Sequence, residues 1–397
     1  MLLLNSRNVT LRGFSSDKSV VLRLRKGAPE PSSLSPHDAI IAQPLDTNNL
    51  ARTTIVLERD AANVSVADTQ RLVVVPNEFS YLADGDIVGI TLDRPAIRVL
   101  YRRTSPHNSF LLTERCNHYC LMCSQPPKDI NDDWLVDELF KAIPLVDKQT
   151  NEIGFTGGEP TLLGERFLSL IRDMRDHLPS TALHILSNGR RFVDRSFARA
   201  YAEIQHPDVM LGIPIYSAIS QEHDYIVQAD GAFDETIRGI LNLKTFAQKV
   251  EIRVVIHRQN YAHLPELAEF IARNLTFVDH VALMGLEMTG FAKVNIDQLW
   301  IDPADYREQL REAASLLCDF GLPVSIFNHQ LCTIDSKIWS LAVKSISDWK
   351  NEYVESCVDC EVRDRCGGFF GTGRVRRSAH IRPVRNLPRP EPSNSSS

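Results

Sequence analysis

From Ser109 onward one pattern repeats along the chain: a short apolar run, a polar turn, then an amphipathic stretch. The runs are Ser109–Thr113, Glu152–Thr156, Ala182–Leu186, Val209–Ile215, Val250–Ile256 and His280–Met284. β-Branched and aromatic residues crowd them, and each is shorter than an ordinary buried helix. Helical patterns lie between or after them, from Asp132–Asp133 through Leu139, through about His177, and over Asp305–Phe320. Strands that alternate with helices predict an α/β fold with a parallel sheet, because parallel neighbours need a helix-sized crossover. Such sheets place their sites beyond the C-terminal ends of the strands.

Polar motifs stand at those ends. Cys116, Cys120 and Cys123 follow the first run in C-x3-C-x2-C spacing, and Gly157-Gly158-Glu159-Pro160 follows the second. Three thiolates on one loop can hold three of the four irons of a [4Fe–4S] cube and leave one iron for another ligand. A zinc site completed by His118 is the bland alternative, and His118 is too close along the loop to close a tetrahedron comfortably. Ser187 and Asn188 end the third run and Ser217 the fourth; their side chains suit a ligand, a helix cap or an Asx turn. Arg253 interrupts the fifth run, to pair with a carboxylate at the site, to face solvent or to form an internal salt bridge. His223 and Asp224 are expected on the loop after the fourth run, where either could line a substrate cavity.

A second group comprises Cys332, Cys357, Cys360 and Cys366, the last three in C-x2-C-x5-C spacing. Four thiolates are a full ligand set for a further [4Fe–4S] cluster or for structural zinc. Cys318 stands apart on the Asp305–Phe320 helix and is read as a buried thiol.

Residues 1–104 form a β-rich module by their β-branched runs at Thr54–Leu57, Arg71–Val75 and Ile87–Leu92; the Pro/Ser-rich stretch from Gly27 to Pro44 is expected to be a loop. The net charge of −6 gives no general pull toward nucleic acid. The N-terminus lacks a charged segment before its short apolar run, and no stretch is long enough to span a bilayer, so a soluble, cytoplasmic protein is expected. In that compartment cysteines serve as metal ligands or core thiols before they serve as disulfides. Arg374–Arg385 is basic, and Pro388–Ser397 is Pro/Ser-rich and expected to be disordered.

The cysteine loop and the Gly-Gly-Glu turn resemble those of the radical S-adenosylmethionine (SAM) enzymes. The resemblance implies a partial (β/α)6 TIM-like barrel at residues 105–300 and a SAM-binding [4Fe–4S] cluster on Cys116, Cys120 and Cys123. SAM would chelate the open iron and be cleaved reductively to a 5′-deoxyadenosyl radical that abstracts hydrogen from a substrate. Gly157 and Gly158 would let the backbone approach SAM, and Glu159 would accept from its ammonium group. Ser187, Asn188 and Ser217 would meet its ribose or carboxylate, and Arg253 its carboxylate. Met122 stands where the family usually has an aromatic residue; its thioether can still contact the adenine face. Residues 301–373 resemble the shortened auxiliary-cluster ("twitch") extensions of the family, and 374–397 would be a tail. The strings Leu111–Asn117, Cys120–Pro127, Ser345–Lys350 and Cys366–Phe370 are most similar to the His-Xaa-Ser system radical SAM maturases of the HxsC type. That likeness implies modification of a ribosomally made precursor peptide. It also implies a second radical SAM maturase as partner and an electron donor such as flavodoxin or ferredoxin. The alternatives are a radical SAM enzyme acting on tRNA or a small cofactor precursor, and a non-catalytic zinc-binding interaction protein.

Overall fold

The computed structural model describes residues 3–14, 19–26, 35–41, 53–63, 71–344, 352–374 and 376–385. The chain forms two compact units, one of Met1–Asn117, Pro127–Gly212 and Arg238–Lys249, the other of His118–Pro126, Ile213–Ile237 and Val250–Ser397. The chain passes from the first to the second inside the cysteine loop.

The first unit opens with eight strands: β1 (Asn5–Ser6), β2 (Thr10–Arg12), β3 (Ser19–Lys26), β4 (Asp38–Ile41), β5 (Thr53–Leu57), β6 (Arg71–Val75), β7 (Ile87–Thr91) and β8 (Ala96–Tyr101). They form one sheet in the order β1-β8-β7-β3-β4-β5-β6-β2. Its two edges are β1 and β2, which only Arg7–Val9 separate in sequence. A flat sheet of this size would be about 33 Å wide at the usual strand spacing. The short link spans at most about 14 Å. The sheet therefore curls until its edges lie within that reach, around a core that includes Leu24, Ile55, Val73, Phe79 and Ile97. This is the expected β-rich module, with one correction. Asp38–Ile41, inside the stretch expected to be a loop, is a strand; residues 27–34 and 42–44 lie outside the described residues. Ala39 and Ile40 enter the core, and the buried Asp38 carboxylate pairs with Arg23 at 2.8 Å and Arg25 at 3.3 Å.

Four parallel strands continue the first unit in the order β9 (Asn108–Thr113), β10 (Glu152–Gly157), β11 (Ala182–Leu186) and β12 (Val209–Pro214), the last running on into the second unit. Helices α1 (Trp134–Ala142), α2 (Glu165–His177) and α3 (Arg195–Ala202) follow β9, β10 and β11. Buried residues such as Phe110, Phe155 and Ile185 fill these strands, as expected where both faces are covered. Helix α1 also carries the fastening to the rolled sheet. Arg98 of β8 binds Glu138 of α1, whose side chain is 1% exposed, and lies over the Trp134 ring at 3.9 Å. Gly89 of β7 has no side chain because a Cβ there would overlap a Glu138 carboxylate oxygen. Burial pushes the Glu138 carboxyl up, and the Arg98 charge opposes that rise.

The second unit holds α4 (Ser220–Val227) and the parallel strands β13 (Lys249–Ile256), β14 (His280–Gly285) and β15 (Val324–Phe327). Helix α5 (Ala232–Thr245) runs from this unit into the first; α6 (Leu264–Asn274), α7 (Gly290–Val294), α8 (Ile296–Leu299) and α9 (Arg307–Asp319) follow. The α/β class with parallel strands is as expected, and β15 adds a seventh parallel strand where the extension was expected to begin. Two further expectations are corrected here. Cys318 is exposed, because α9 buries Leu310, Ala313, Ala314 and Leu317 and so turns the next position outward. His223 and Asp224 lie on α4 instead of a loop, where each supports local structure. The buried His223 accepts the Tyr216 amide at Nδ1, and Asp224 accepts the Gly231 and Phe233 amides. Among the described residues no helix is long and apolar enough to cross a membrane.

Candidate functional site

In the first unit the base of the cysteine loop is stitched to the Gly-Gly-Glu turn. The Gly158 amide donates to the Thr113 carbonyl and the Glu159 amide to the Arg115 carbonyl, each at 2.8 Å. These bonds extend the β9–β10 ladder past its last residues. The glycines are required by that closeness: a Cβ at Gly157 would overlap the Thr113 carbonyl oxygen, and one at Gly158 the Arg115 carbonyl oxygen. The second would also crowd the Cys116 Cβ, at 3.1 Å. The glycines thus serve the approach of the loop that carries Cys116. Behind it, the buried Asp132 carboxylate accepts Thr113 Oγ1 at 2.9 Å and Arg115 Nε at 3.0 Å, while Arg115 Nη2 reaches Asp133 at 2.8 Å.

Glu159 is buried, and its carboxylate already receives four donors. Thr161 N at 3.0 Å, Thr161 Oγ1 at 2.6 Å and Ser187 Oγ at 2.8 Å share Oε1; Asn188 N reaches Oε2 at 2.6 Å. Burial pushes its carboxyl up, and these hydrogen bonds oppose the rise. The Asn188 side chain then donates to Asn117 Oδ1 at 2.7 Å. A closed ring results: Arg115 to Glu159, Glu159 to Asn188, Asn188 to Asn117, and back along the chain through Cys116. Both neighbours of Cys116 are fixed, which sets the position of its Cα. Ser187, Asn188 and Glu159 thus come together as a scaffold for the first cysteine. Asp132 and Asn117 were missed as site residues because a lone Asp before a helix and a lone Asn after a cysteine have many local uses.

The second unit holds Cys120 and Cys123. A turn joins them, with the Cys123 amide on the Cys120 carbonyl at 3.0 Å, and Cys123 Sγ donates to the Gln125 carbonyl at 3.0 Å. Tyr119 and Leu121 donate to Val227 and Ile226 at the end of α4, and the Phe291 amide donates to the Cys123 carbonyl at 2.8 Å. Met122 packs with Tyr216, Ile226, Val227, Ala292 and Leu299. His118 Nδ1 stands 3.9 Å from Cys120 Sγ. Burial raises the Cys123 thiol and the Tyr216 hydroxyl, and charge on Cys120 and Cys123 raises Tyr216 further.

Two expected ligand contacts have other partners. Ser217 donates to Glu222 at 2.8 Å and accepts the Ile219 amide in the turn before α4. Arg253 binds Glu251 at 2.7 Å and Met284 Sδ at 3.2 Å; Glu251 in turn holds His280, which reaches Ser325. This is the internal ion pair weighed from the sequence.

The second cysteine group lies wholly in the second unit. Cys332, Cys357, Cys360 and Cys366 line one small pocket of about 20 Å³ together with Tyr353 and Arg363. Among the described residues, no group of three His, Cys, Asp or Glu side chains is arranged to hold a metal ion, and the four cysteines share the lining of one pocket. Burial raises the Cys332 and Cys366 thiols. Tyr353 donates to the Cys366 carbonyl at 2.8 Å, and Gln330 donates to the Gly368 carbonyl at 2.7 Å.

Residues 110–271 match the model of the Radical SAM superfamily. This stretch is a radical SAM domain. The Fe-coproporphyrin III synthase of Methanosarcina barkeri is 29% identical over 171 residues, 40% of this chain. The tungsten-containing aldehyde ferredoxin oxidoreductase cofactor-modifying protein of Pyrococcus furiosus is 27% identical over 168 residues, also 40% of this chain. The chain covers 39% and 46% of the lengths of these two relatives. Among solved structures, Streptococcus suis SuiB bound to S-adenosylmethionine matches with 16% identity and a TM-score of 0.44, over 56% of this chain and 51% of that one. Native anSMEcpe with bound AdoMet matches with 19% identity and a TM-score of 0.42, over 55% of this chain and 62% of that one.

A radical SAM domain implies a [4Fe–4S] cluster and SAM. The residues present suit such a cluster: three part-buried cysteines in C-x3-C-x2-C spacing on one loop, with the first held by its neighbours and the other two joined by a turn. The fit to SAM at Glu159 is narrower than the radical SAM resemblance implied. Its carboxylate has about four lone-pair sites, and Oε2, with one donor, keeps room for one more.

Proposed function

We propose that this chain is a radical SAM enzyme that modifies a ribosomally made precursor peptide of the His-Xaa-Ser type. The observation that carries the reading is that four cysteines from separate segments gather around one pocket in the same chain as a radical SAM domain. The loop and C-terminal strings similar to the His-Xaa-Ser maturases add to it. When bound, the cluster and SAM supply one-electron reductive cleavage and a hydrogen-abstracting radical.

The protein's own residues would hold and orient these groups. Cys116, Cys120 and Cys123 would bind the first cluster, with Cys116 positioned by the Glu159–Asn188–Asn117 ring. Glu159 Oε2 would take the SAM ammonium as its last donor, beside Ser187 and Asn188. Gly157 and Gly158 would keep the loop close enough for this. Ser217 and Arg253 are engaged elsewhere, with Glu222 and with Glu251, and take no part in this proposed contact. Cys332, Cys357, Cys360 and Cys366 would hold a second [4Fe–4S] cluster. A second radical SAM maturase and a flavodoxin or ferredoxin would complete the system.

The test is co-expression of this chain with a precursor peptide bearing His-Xaa-Ser repeats, followed by mass spectrometry of the peptide. A mass change that needs Cys116, Cys120 and Cys123 is expected. An unmodified peptide in the presence of an active, SAM-cleaving enzyme would overturn the substrate and leave the radical chemistry standing. The named functions of the two relatives favour a second reading, a small cofactor or tetrapyrrole precursor as substrate. Under that reading SAM cleavage would be stimulated by the small molecule and not by the peptide.

A further inference from the structure

The basic stretch after the second cysteine group runs along that group's pocket. Ile381 and Arg382 line it. The Val384 amide donates to Cys360 Sγ at 3.4 Å. Pro383, just before it, has no amide of its own to place. The segment is fastened at its end: the Glu361 amide donates to the Val384 carbonyl at 3.0 Å, and Arg385 pairs with Asp359 at 3.1 Å. A second amide, of Gly368, donates to Cys366 Sγ at 3.5 Å. A neutral thiol is a weak acceptor, whereas a metal-ligating thiolate is a strong one. Two of the four sulfurs, those of Cys360 and Cys366, therefore accept backbone amides that are worth most when the sulfurs carry charge. Beyond the segment, Cys332, Arg382 and Arg385 also line a larger, open cavity of about 450 Å³ with Arg307 and Trp339.

We propose that Ile381–Arg385 is the closing wall of the second metal centre. Its Val384 amide donates to the Cys360 sulfur as a ligand of an iron–sulfur cluster and raises the cluster's reduction potential, and the segment separates the cluster from the neighbouring cavity. This rests on the reading of the four cysteines as a cluster site. Hydrogen bonds to ligand sulfur stabilise the more negative, reduced state, which is the physical source of the rise.

The test uses the full chain with Cys116, Cys120 and Cys123 replaced by Ala, so that any iron belongs to the second centre. Val384→Pro removes the donor to Cys360, and Val384→Ala keeps it. Potentiometric titration should show a more negative midpoint for Val384→Pro and an unchanged one for Val384→Ala. A tenfold change in the one-electron equilibrium corresponds to about 59 mV. Equal midpoints in the two variants overturn the proposal. If Val384→Pro does not hold iron, a chain ending at His380 gives the second measurement. It should lose iron to a chelator at least tenfold faster than the parent, and an equal rate overturns the closing-wall role. A parent without iron, or with zinc in its place, overturns the cluster reading itself and the proposal with it.

Discussion

The Glu159 amide donates to the Arg115 carbonyl, 2.8 Å away and one residue before Cys116. The turn after β10 and the loop after β9 are thus one piece of structure, and changes in the turn act on the first cysteine through its backbone.

Gly158→Ala should therefore empty the first cluster site while leaving the fold intact. Its methyl would overlap the Arg115 carbonyl oxygen and crowd Cys116. Iron in the anaerobically reconstituted protein should fall by about half if each site holds a four-iron cluster. Unaltered iron content would show that the loop can shift without losing its metal.

Glu159→Gln should cost stability as well as SAM affinity. An amide in that position turns an NH2 group toward donors that need an acceptor. Leaving one buried donor unsatisfied costs about 1–3 kcal/mol. Thr161→Val and Ser187→Ala each remove one donor, and each should cost about 1 kcal/mol. Denaturant melts would rank the three variants, with Glu159→Gln expected lowest. Equal stability of Glu159→Gln and the parent would mean that the ring around Cys116 tolerates a missing link.

Replacing Cys116, Cys120 and Cys123 together by Ala should abolish 5′-deoxyadenosine formation from SAM and retain about half of the iron, held by the second group. Continued 5′-deoxyadenosine production by the reduced variant would falsify the assignment of the cluster to this loop.

Arg98→Ala should destabilise the protein by about 3–5 kcal/mol, because it leaves the buried Glu138 carboxylate without its partner. The paired replacement Arg98→Met with Glu138→Leu should recover most of that loss. A chemical-denaturation cycle over the single and double variants measures the coupling; additive losses would mean that the two side chains do not depend on each other.

Acid should weaken the fold through His257. This buried imidazole follows β13, and burial pulls it down from 6.5 to about 3. Between those values the unfolded chain takes up a proton that the folded chain refuses. Stability is full above about pH 6.5 and falls as pH drops through the window, by at most about 1.4 kcal/mol per pH unit from this group. His257→Asn keeps an acceptor for the Gln259 amide, now on Nδ1 at 3.2 Å, and removes the titration. Its stability should change less steeply between pH 6 and pH 4, followed by denaturant midpoints; parallel profiles would assign the acid loss to other groups.

The sequence by itself determined the alternation of strands and helices, the β-rich start, and the spacing of both cysteine groups. Those are local properties: residue size, branching and the order of thiols along a loop are legible without knowing what lies opposite. Tertiary structure decided the partners. Glu159 meets Ser187 and Asn188 from 28 and 29 residues away, and Thr113 meets Asp132 from 19. Which donor faces a carboxylate depends on the strand neighbours brought beside it, and no period in the sequence records that. The same reason hid the strand at Asp38–Ile41, whose buried aspartate is tolerable only beside Arg23 and Arg25. It also hid the outward turn of Cys318, set by the face that α9 buries, and the seat of Val384 against Cys360. A sequence can name the atoms able to bind a cluster. Only folding decides which amides and carboxylates hold those atoms in place, because each such contact joins segments far apart in the chain.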